Sequence, residues 1–224
     1  MSRGLDLADA GLGMTSERAR RRMVERLRQQ GIGHEAVLAA MLAVPRHRFV
    51  EPALASRAYD DTALPIGFGQ TISQPYVVAR SLELALGERS RVDLALEIGT
   101  GWGYQAAVLA ALAREVYTIE RISALALRAR QILAACGINN VKVRIADGRE
   151  AASSVAQFDV IVVAAAAAEI PANLPPLLAE GGRLVMPVGS ESAQRLVCLE
   201  RRGTEWVRSE HEAVVFVPLR SGQE

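Results

Sequence analysis

The chain has 224 residues, half of them hydrophobic and 23% charged, with a formal net charge of +1. That balance belongs to a soluble globular protein with one large domain, or one domain and an appendage. Near-neutral charge removes any general electrostatic case for a nucleic-acid partner. No apolar run approaches the ~20 residues that would cross a bilayer, so no membrane partner is expected.

Residues 1–15 carry no sustained period and read as a flexible lead-in. Thr15 or Ser16 is placed to cap a helix that runs to Gln30, with Met23, Val24 and Leu27 as its apolar stripe and Gly31 as its stop. Arg18, Arg20, Arg21, Arg22, Arg26 and Arg28 crowd that helix, as a solvated face or as a surface for an acidic partner. A second helix spans about His34 to Ala43 and ends ahead of Pro45. Residues 59–75 break the pattern with prolines, glycines, hydroxyls and amides, and read as a loop with short strands. Pro75 suits the first turn of a helix over 75–86, which leaves Ser73 and Gln74 at its N-terminus.

From residue 93 the chain alternates. Strands are expected at 93–98, 115–120, 141–146 and 158–163, then at 182–187, 194–200 and 213–218. Helices are expected at 103–113 and 122–136, with a short one at 149–155. Alternation with near-continuous apolar strands predicts an α/β fold whose mostly parallel sheet is covered on both faces. The last strands lack an intervening helix, so an antiparallel closing hairpin is expected. Only Cys136 and Cys198 are cysteines, with no metal or redox spacing, and a reducing cytoplasmic compartment is the simplest expectation. Lys142 is the only lysine, so no catalytic lysine is available elsewhere.

The most informative stretch is Leu96-Glu97-Ile98-Gly99-Thr100-Gly101-Trp102-Gly103-Tyr104. Strand, glycine turn and helix in this order hold a nucleotide-like ligand in α/β folds. A dinucleotide fingerprint would need glycine at 104, where the chain has Tyr104. The pattern E-x-G-x-G-x-G instead resembles motif I of the S-adenosylmethionine-dependent methyltransferases. That ligand carries an ammonium and a sulfonium, and a carboxylate such as Glu97 at the strand end suits that charge. Glu120 ends the second strand, where a carboxylate can accept both hydroxyls of a ribose; a surface glutamate paired with Arg121 is the plainer alternative. Asp147-Gly148 ends the third strand, where aspartate can meet an adenine amino group and glycine allows close approach, or the pair can form an Asx turn.

His34, His47 and His211 are scattered, without metal spacing, and no nucleophilic triad stands out. A methyltransferase acting on a carboxylate needs no strong base, because its acceptor is ionised at neutral pH. It needs hydroxyls, amides and helix N-terminal N–H groups that place the acceptor and exclude water. Gln70, Thr71, Ser73 and Gln74 fit that demand.

The block Ala63-Leu64-Pro65-Ile66-Gly67-Phe68-Gly69-Gln70-Thr71-Ile72-Ser73-Gln74-Pro75-Tyr76 resembles the signature of the protein-L-isoaspartate (D-aspartate) O-methyltransferase family. Val44-Pro45-Arg46 with Phe49-Val50, Leu96 to Tyr104, Ile119 to Ile122, Asp147-Gly148, Glu169-Ile170-Pro171, Gly181-Gly182, Pro187-Val188-Gly189 and Phe216 to Leu219 match in the same order, across about residues 17 to 220. The resemblance implies a Rossmann-like class I methyltransferase with a seven-stranded sheet and an N-terminal helical cap. On that reading 16–90 is cap and substrate loop, and 91–224 is the cofactor-binding sheet of a single domain.

The resemblance also implies S-adenosyl-L-methionine as cofactor and isoaspartyl-containing proteins or peptides as partners. Their free carboxylate would be methylated, and the ester would close to a succinimide whose hydrolysis repairs the chain. It assigns Ser73 to the acceptor carboxylate, and Gln70, Thr71, Val214 and Val215 to substrate. Glu97, Gly99, Gly101, Glu120, Asp147 and Gly148 fall to the cofactor.

The chain departs from the family in two places. Trp102 stands where a small or polar residue is common, and alanines run from 164 to 168 where the family often has Thr-Ala-Ala-Pro. Both motivate an alternative, a specialised relative that methylates an ordinary aspartyl side chain of one dedicated peptide. A second alternative is a peptide-binding protein that keeps the fold without catalysis. Nucleic-acid methylation is disfavoured, because base amino methylation usually uses an Asn/Asp-Pro-Pro-aromatic motif where this chain has alanines.

Overall fold

The computed structural model describes residues 13–148 and 157–224. The helix expected at 149–155 and most of the lead-in lie outside the described residues. The described chain begins with α1 (Glu17–Gln29), α2 (Glu35–Ala43), and the short hairpin of β1 (Leu64–Gly67) and β2 (Gln70–Ile72). It continues with α3 (Pro75–Leu86), β3 (Val92–Ile98), α4 (Tyr104–Leu112), β4 (Ala113–Glu120), α5 (Ser123–Ala135), β5 (Val141–Ile145) and β6 (Phe158–Val163). The last elements are β7 (Leu178–Ser190), β8 (Ala193–Arg202) and β9 (Glu205–Val214).

Local chemistry sets these boundaries. Ser16 takes the N-cap position of α1 in extended conformation, but its hydroxyl donates to the Gly13 carbonyl at 2.7 Å rather than capping the helix; Glu17 sits in the first turn, where the helix dipole favours a carboxylate. His34 caps α2 by accepting from the Val37 N–H, and its other ring nitrogen lies 3.2 Å from the Arg89 carbonyl oxygen. This histidine is therefore structural. Pro75 opens α3, where its missing N–H costs nothing, and Gly87 ends it at φ +62°.

Seven strands form one sheet in the order β5-β4-β3-β6-β7-β8-β9. The first five are parallel neighbours, and β8 and β9 return antiparallel. Both faces are buried, which explains why the parallel strands read as continuous apolar runs rather than alternations. Ala95, Val160, Val162 and Val185 point into the larger core, which also takes the apolar faces of α1 to α5. Leu96, Ile98, Ile161, Val163, Leu184 and Met186 point into a second core closed by Leu174, Leu177 and Leu178 and flanked by Leu219.

The final strand differs from expectation. It runs over Glu205–Val214, not 213–218. A turn at Gly203 lets β9 pair along β8 with its polar, solvent-exposed residues, because an edge strand needs hydrogen-bond partners more than apolar side chains. The apolar run after it leaves the sheet instead. Ala166 N–H donates to the Val217 carbonyl, and Leu219 N–H donates to the Ala166 carbonyl.

Candidate active site

Strands β3 and β6 are parallel neighbours, yet the chain leaves β3 toward β4 on one side and reaches β6 from the other. Such a reversal opens a crevice beyond the carboxyl ends of the strands, where ligands of open α/β sheets bind. The glycine turn sits at this point. Gly99 N–H donates to the Ile119 carbonyl at 2.9 Å, and a side chain at Gly99 would meet Ala164 Cβ, just past β6, at 3.3 Å. Gly101 has φ +55°, a region that disfavours side chains, and a Cβ there would lie 3.0 Å from Ile66 Cδ1. The glycine loop and the β1–β2 hairpin therefore touch directly.

Behind the loop, Thr118 Oγ1 donates to Glu97 Oε2 at 2.5 Å, and the Thr100 and Thr118 hydroxyls are 2.6 Å apart. Glu97 is fully buried, and its Oε1 has no hydrogen-bond partner. Burial pushes its pKa up to about 8, with the Thr118 hydroxyl pulling the other way. Glu120 at the end of β4 accepts from Gly101 N–H at 2.8 Å and from Ile122 N–H at 3.0 Å. Its carboxyl is also raised by burial, with the backbone donors pulling the other way.

One cavity, with about 860 Å³ of empty space, joins these parts. Its walls include Gly99, Gly101, Glu120 and Gly148 from the sheet ends and Gln70, Thr71 and Ser73 from the hairpin side. A larger open groove of about 1720 Å³ runs beside it, past Val214 and Val215. Thr71, Ser73, Ala164 and Val217 line both, so cavity and groove meet at these four residues. Val215 is 91% exposed, an unusual setting for an aliphatic side chain. Gln194, 6% exposed, pins the adjacent peptide: its Oε1 accepts from Phe216 N–H at 2.7 Å and its Nε2 donates to the Phe216 carbonyl at 3.1 Å.

Two of the residues assigned to the cofactor from sequence do not line the cavity. Glu97 lies behind the wall, reaching it through Thr118 and Thr100. Asp147 Oδ2 accepts from Gly222 N–H at 2.6 Å, and so ties down the C-terminal tail. Gly148 next to it is packed hard, since a Cβ there would fall 2.4 Å from Ile98 Cγ2. Trp102 is 7% exposed, with the Arg128 guanidinium 5.1 Å from its ring centre, and lines the cavity from the core side. Gln194 and Thr118 were missed by sequence reasoning, and Arg46 entered it only as part of the matching segment Val44-Pro45-Arg46, with no role. Nothing in the linear pattern marks what these three do, because each acts on a segment distant in sequence.

The donor set fits an S-adenosyl group. Apolar walls from Ile98, Ile119 and Leu125 suit a flat base, and Glu120 offers a carboxylate on the same cavity. A buried acid with an unpartnered oxygen stands behind the glycine turn, where positive charge would relieve it.

Comparison with known proteins agrees with this geometry. The family model for protein-L-isoaspartate(D-aspartate) O-methyltransferase (PCMT) matches residues 18–224. The protein-L-isoaspartate O-methyltransferase of Dechloromonas aromatica is 53% identical over 212 residues, covering 95% of this chain and 98% of that protein. Its counterpart in Aromatoleum aromaticum is 55% identical over 212 residues, covering 95% and 96%. Among solved structures, a Plasmodium falciparum protein of the same name, in complex with S-adenosyl-L-homocysteine, superposes with a TM-score of 0.77 at 26% identity and covers 90% of this chain and 98% of its own. With nearly its whole length matched, the chain belongs to the protein-L-isoaspartate(D-aspartate) O-methyltransferase family.

Proposed function

We infer that this protein transfers a methyl group from S-adenosyl-L-methionine to the free carboxylate of L-isoaspartyl residues in damaged proteins and peptides. The observation that carries the reading is the meeting of cavity and groove at Thr71, Ser73, Ala164 and Val217. One compartment has the walls for a nucleoside. The other is larger and open, as a peptide requires. S-adenosylmethionine supplies an electrophilic methyl on a sulfonium centre.

The residues then divide the work. Glu120 is assigned to the ribose hydroxyls, with Gly99, Gly101 and Gly148 allowing close approach of the backbone. Glu97 acts from behind the glycine loop, as a buried acid whose ionisation a positive ligand favours. Asp147 serves the adenine side indirectly, by holding the tail at Gly222 that continues from the cavity residues Leu219 and Arg220.

Ser73 lines the junction, and its hydroxyl is assigned to donate to the acceptor carboxylate, with Gln70 and Thr71 beside it. Val214 and Val215 border the substrate groove, on a segment whose position Gln194 holds. No residue needs to remove a proton, because the acceptor is a carboxylate at neutral pH. The chain's task is to orient the acceptor oxygen toward the methyl and to exclude water. The histidines stand in other roles: His34 caps a helix, His47 Nδ1 lies 2.7 Å from the Tyr59 hydroxyl, and His211 lies beside Ser209 on the edge strand. The resulting methyl ester loses methanol when the neighbouring backbone nitrogen attacks it. Hydrolysis of the succinimide so formed returns part of the chain to normal aspartate.

The test is a matched pair of peptides that differ only in an isoaspartyl or aspartyl linkage, incubated with methyl-labelled cofactor. Base-labile label in the isoaspartyl peptide is expected. Label confined to the aspartyl twin would replace repair with dedicated succinimide installation. Binding of peptide without label in either would leave a non-catalytic binder. No described helix is long and apolar enough to cross a membrane. Damaged proteins of the cytoplasm are the substrates this reading assigns.

A further inference from the structure

Arg46 follows Pro45 in the short turn Arg46–Phe49 and is 0% exposed. Its Nε donates to the Ala58 carbonyl at 2.8 Å, and its Nη2 donates to the Ser73 carbonyl at 2.7 Å. The guanidinium carbon lies 4.6 Å from the centre of the Tyr104 ring. No ion pair within 4 Å partners it among the described residues, and Nη1 has no hydrogen-bond partner. Asp61, the acid whose charge it feels, is engaged by Tyr76 N–H and the Gln30 amide.

An unpaired buried guanidinium is a poor device for stability alone, since an apolar side chain of similar volume does as well or better. What distinguishes this one is its position. Ser73 begins the helix-entry segment at the junction of cavity and groove, and Tyr104 opens the helix that follows the glycine loop. Arg46 touches both. By binding the Ser73 carbonyl from the core, it turns that dipole away from a carboxylate docked at the junction. It also leaves a net positive charge directly behind the same peptide, where low dielectric strengthens its reach.

We propose that Arg46 is the positioning residue that makes the Ser73 loop selective for an anionic acceptor, by fixing the Ser73 peptide against the donor helix and supplying the uncompensated positive charge behind it. The inference rests on the carboxyl-methylation reading above. It extends that reading to a residue that touches neither substrate nor cofactor.

The experiment uses an isoaspartyl peptide and the same peptide with the acceptor carboxyl as its amide, which keeps shape and removes charge. Wild type, Arg46→Met and Arg46→Lys are compared for affinity to both peptides, for affinity to S-adenosylhomocysteine, and for KM and kcat. Arg46→Met should weaken the acid peptide by roughly ten- to a hundredfold, the order expected for one buried unit charge acting from behind the Ser73 peptide, while the amide peptide and S-adenosylhomocysteine change by less than about twofold. Arg46→Lys keeps a cation there for as long as the buried ammonium stays protonated, so at about pH 6 it should retain the preference for acid over amide. A single ammonium cannot span the Ala58 and Ser73 carbonyls, so its kcat should fall with KM little changed.

Equal loss for acid and amide peptides in Arg46→Met would overturn the proposal. So would an unchanged acid preference in that variant, or a Lys variant that lacks it even at about pH 6, where the ammonium is most readily kept. A wild-type protein with no preference for the acid would remove the carboxyl-methylation reading and the proposal together. The Lys variant, compared at that acid pH, decides the matter if the Met variant does not fold.

Discussion

Replacing Glu97 by glutamine should make the cofactor-free protein more stable, by an amount that grows with pH. Glu97 is fully buried, and its pKa is pushed to about 8 from an ordinary 4.5. The folded chain thus binds a proton between these values that the unfolded chain releases. Stability associated with that proton is complete below about pH 4.5 and is lost as pH rises through about 8. At pH 7 the unfavourable gap is on the order of 3 kcal/mol, from about 1.4 kcal/mol per pKa unit.

Glutamine has nearly the shape of the protonated acid, and its oxygen can still accept from Thr118. It carries no titrating proton, so it should escape the loss. For a domain of this size ~3 kcal/mol corresponds to about 6–12 °C in Tm. Thermal unfolding of both proteins without cofactor, from about pH 5 to about pH 9, reads the difference directly. Near-coincident curves at the acid end and a widening gap to about pH 8 are expected. A gap that is constant with pH, or a variant less stable than wild type near pH 8, would refute the assignment of a destabilised buried carboxyl. The same substitution should weaken S-adenosylmethionine binding, because the negative charge behind the glycine loop is gone. Stability and cofactor affinity would then move in opposite directions.

Other outcomes follow from the site. Ser73→Ala should lower kcat far more than it changes S-adenosylhomocysteine affinity; an equal loss of both would assign Ser73 to the cofactor. Glu120→Ala should weaken cofactor binding by about 1.5–3 kcal/mol, the worth of a hydrogen bond to a charged group, and unchanged affinity in calorimetry would dismiss the ribose role. Gln194→Ala frees the peptide at Phe216, so KM for peptide should rise while S-adenosylhomocysteine affinity holds. A parallel fall in both would show that this segment serves the cofactor cavity instead. Gly148→Ala places a Cβ 2.4 Å from Ile98 Cγ2, and should cost about 1–3 kcal/mol of stability by urea unfolding, as overpacking does.

The chain order of helices and parallel strands, the glycine turn and the closing antiparallel strands were all legible in the residues. Each depends on contacts a few positions apart: a period of 3.6 in α1, apolar runs in β3 and β6, proline at the first turn of α3. The motif residues Gly99, Gly101, Glu120 and Ser73 were legible for the same reason, since strand ends and loop punctuation are local. The final strand was misplaced because hydrophobicity marks burial, not pairing. The apolar run 214–219 lines the groove and cavity, while polar residues 205–213 complete the sheet edge.

Only the tertiary structure decided which side chains act across distance. Glu97 stands behind the cavity through two threonines, Asp147 holds the tail at Gly222, and Arg46 reaches Ser73 from 27 residues away. These are consequences of chain crossing and burial. A linear pattern specifies which residues will be buried, but the partner each buried polar atom finds is set when the strand order reverses beside Gly99 and the hairpin closes against it.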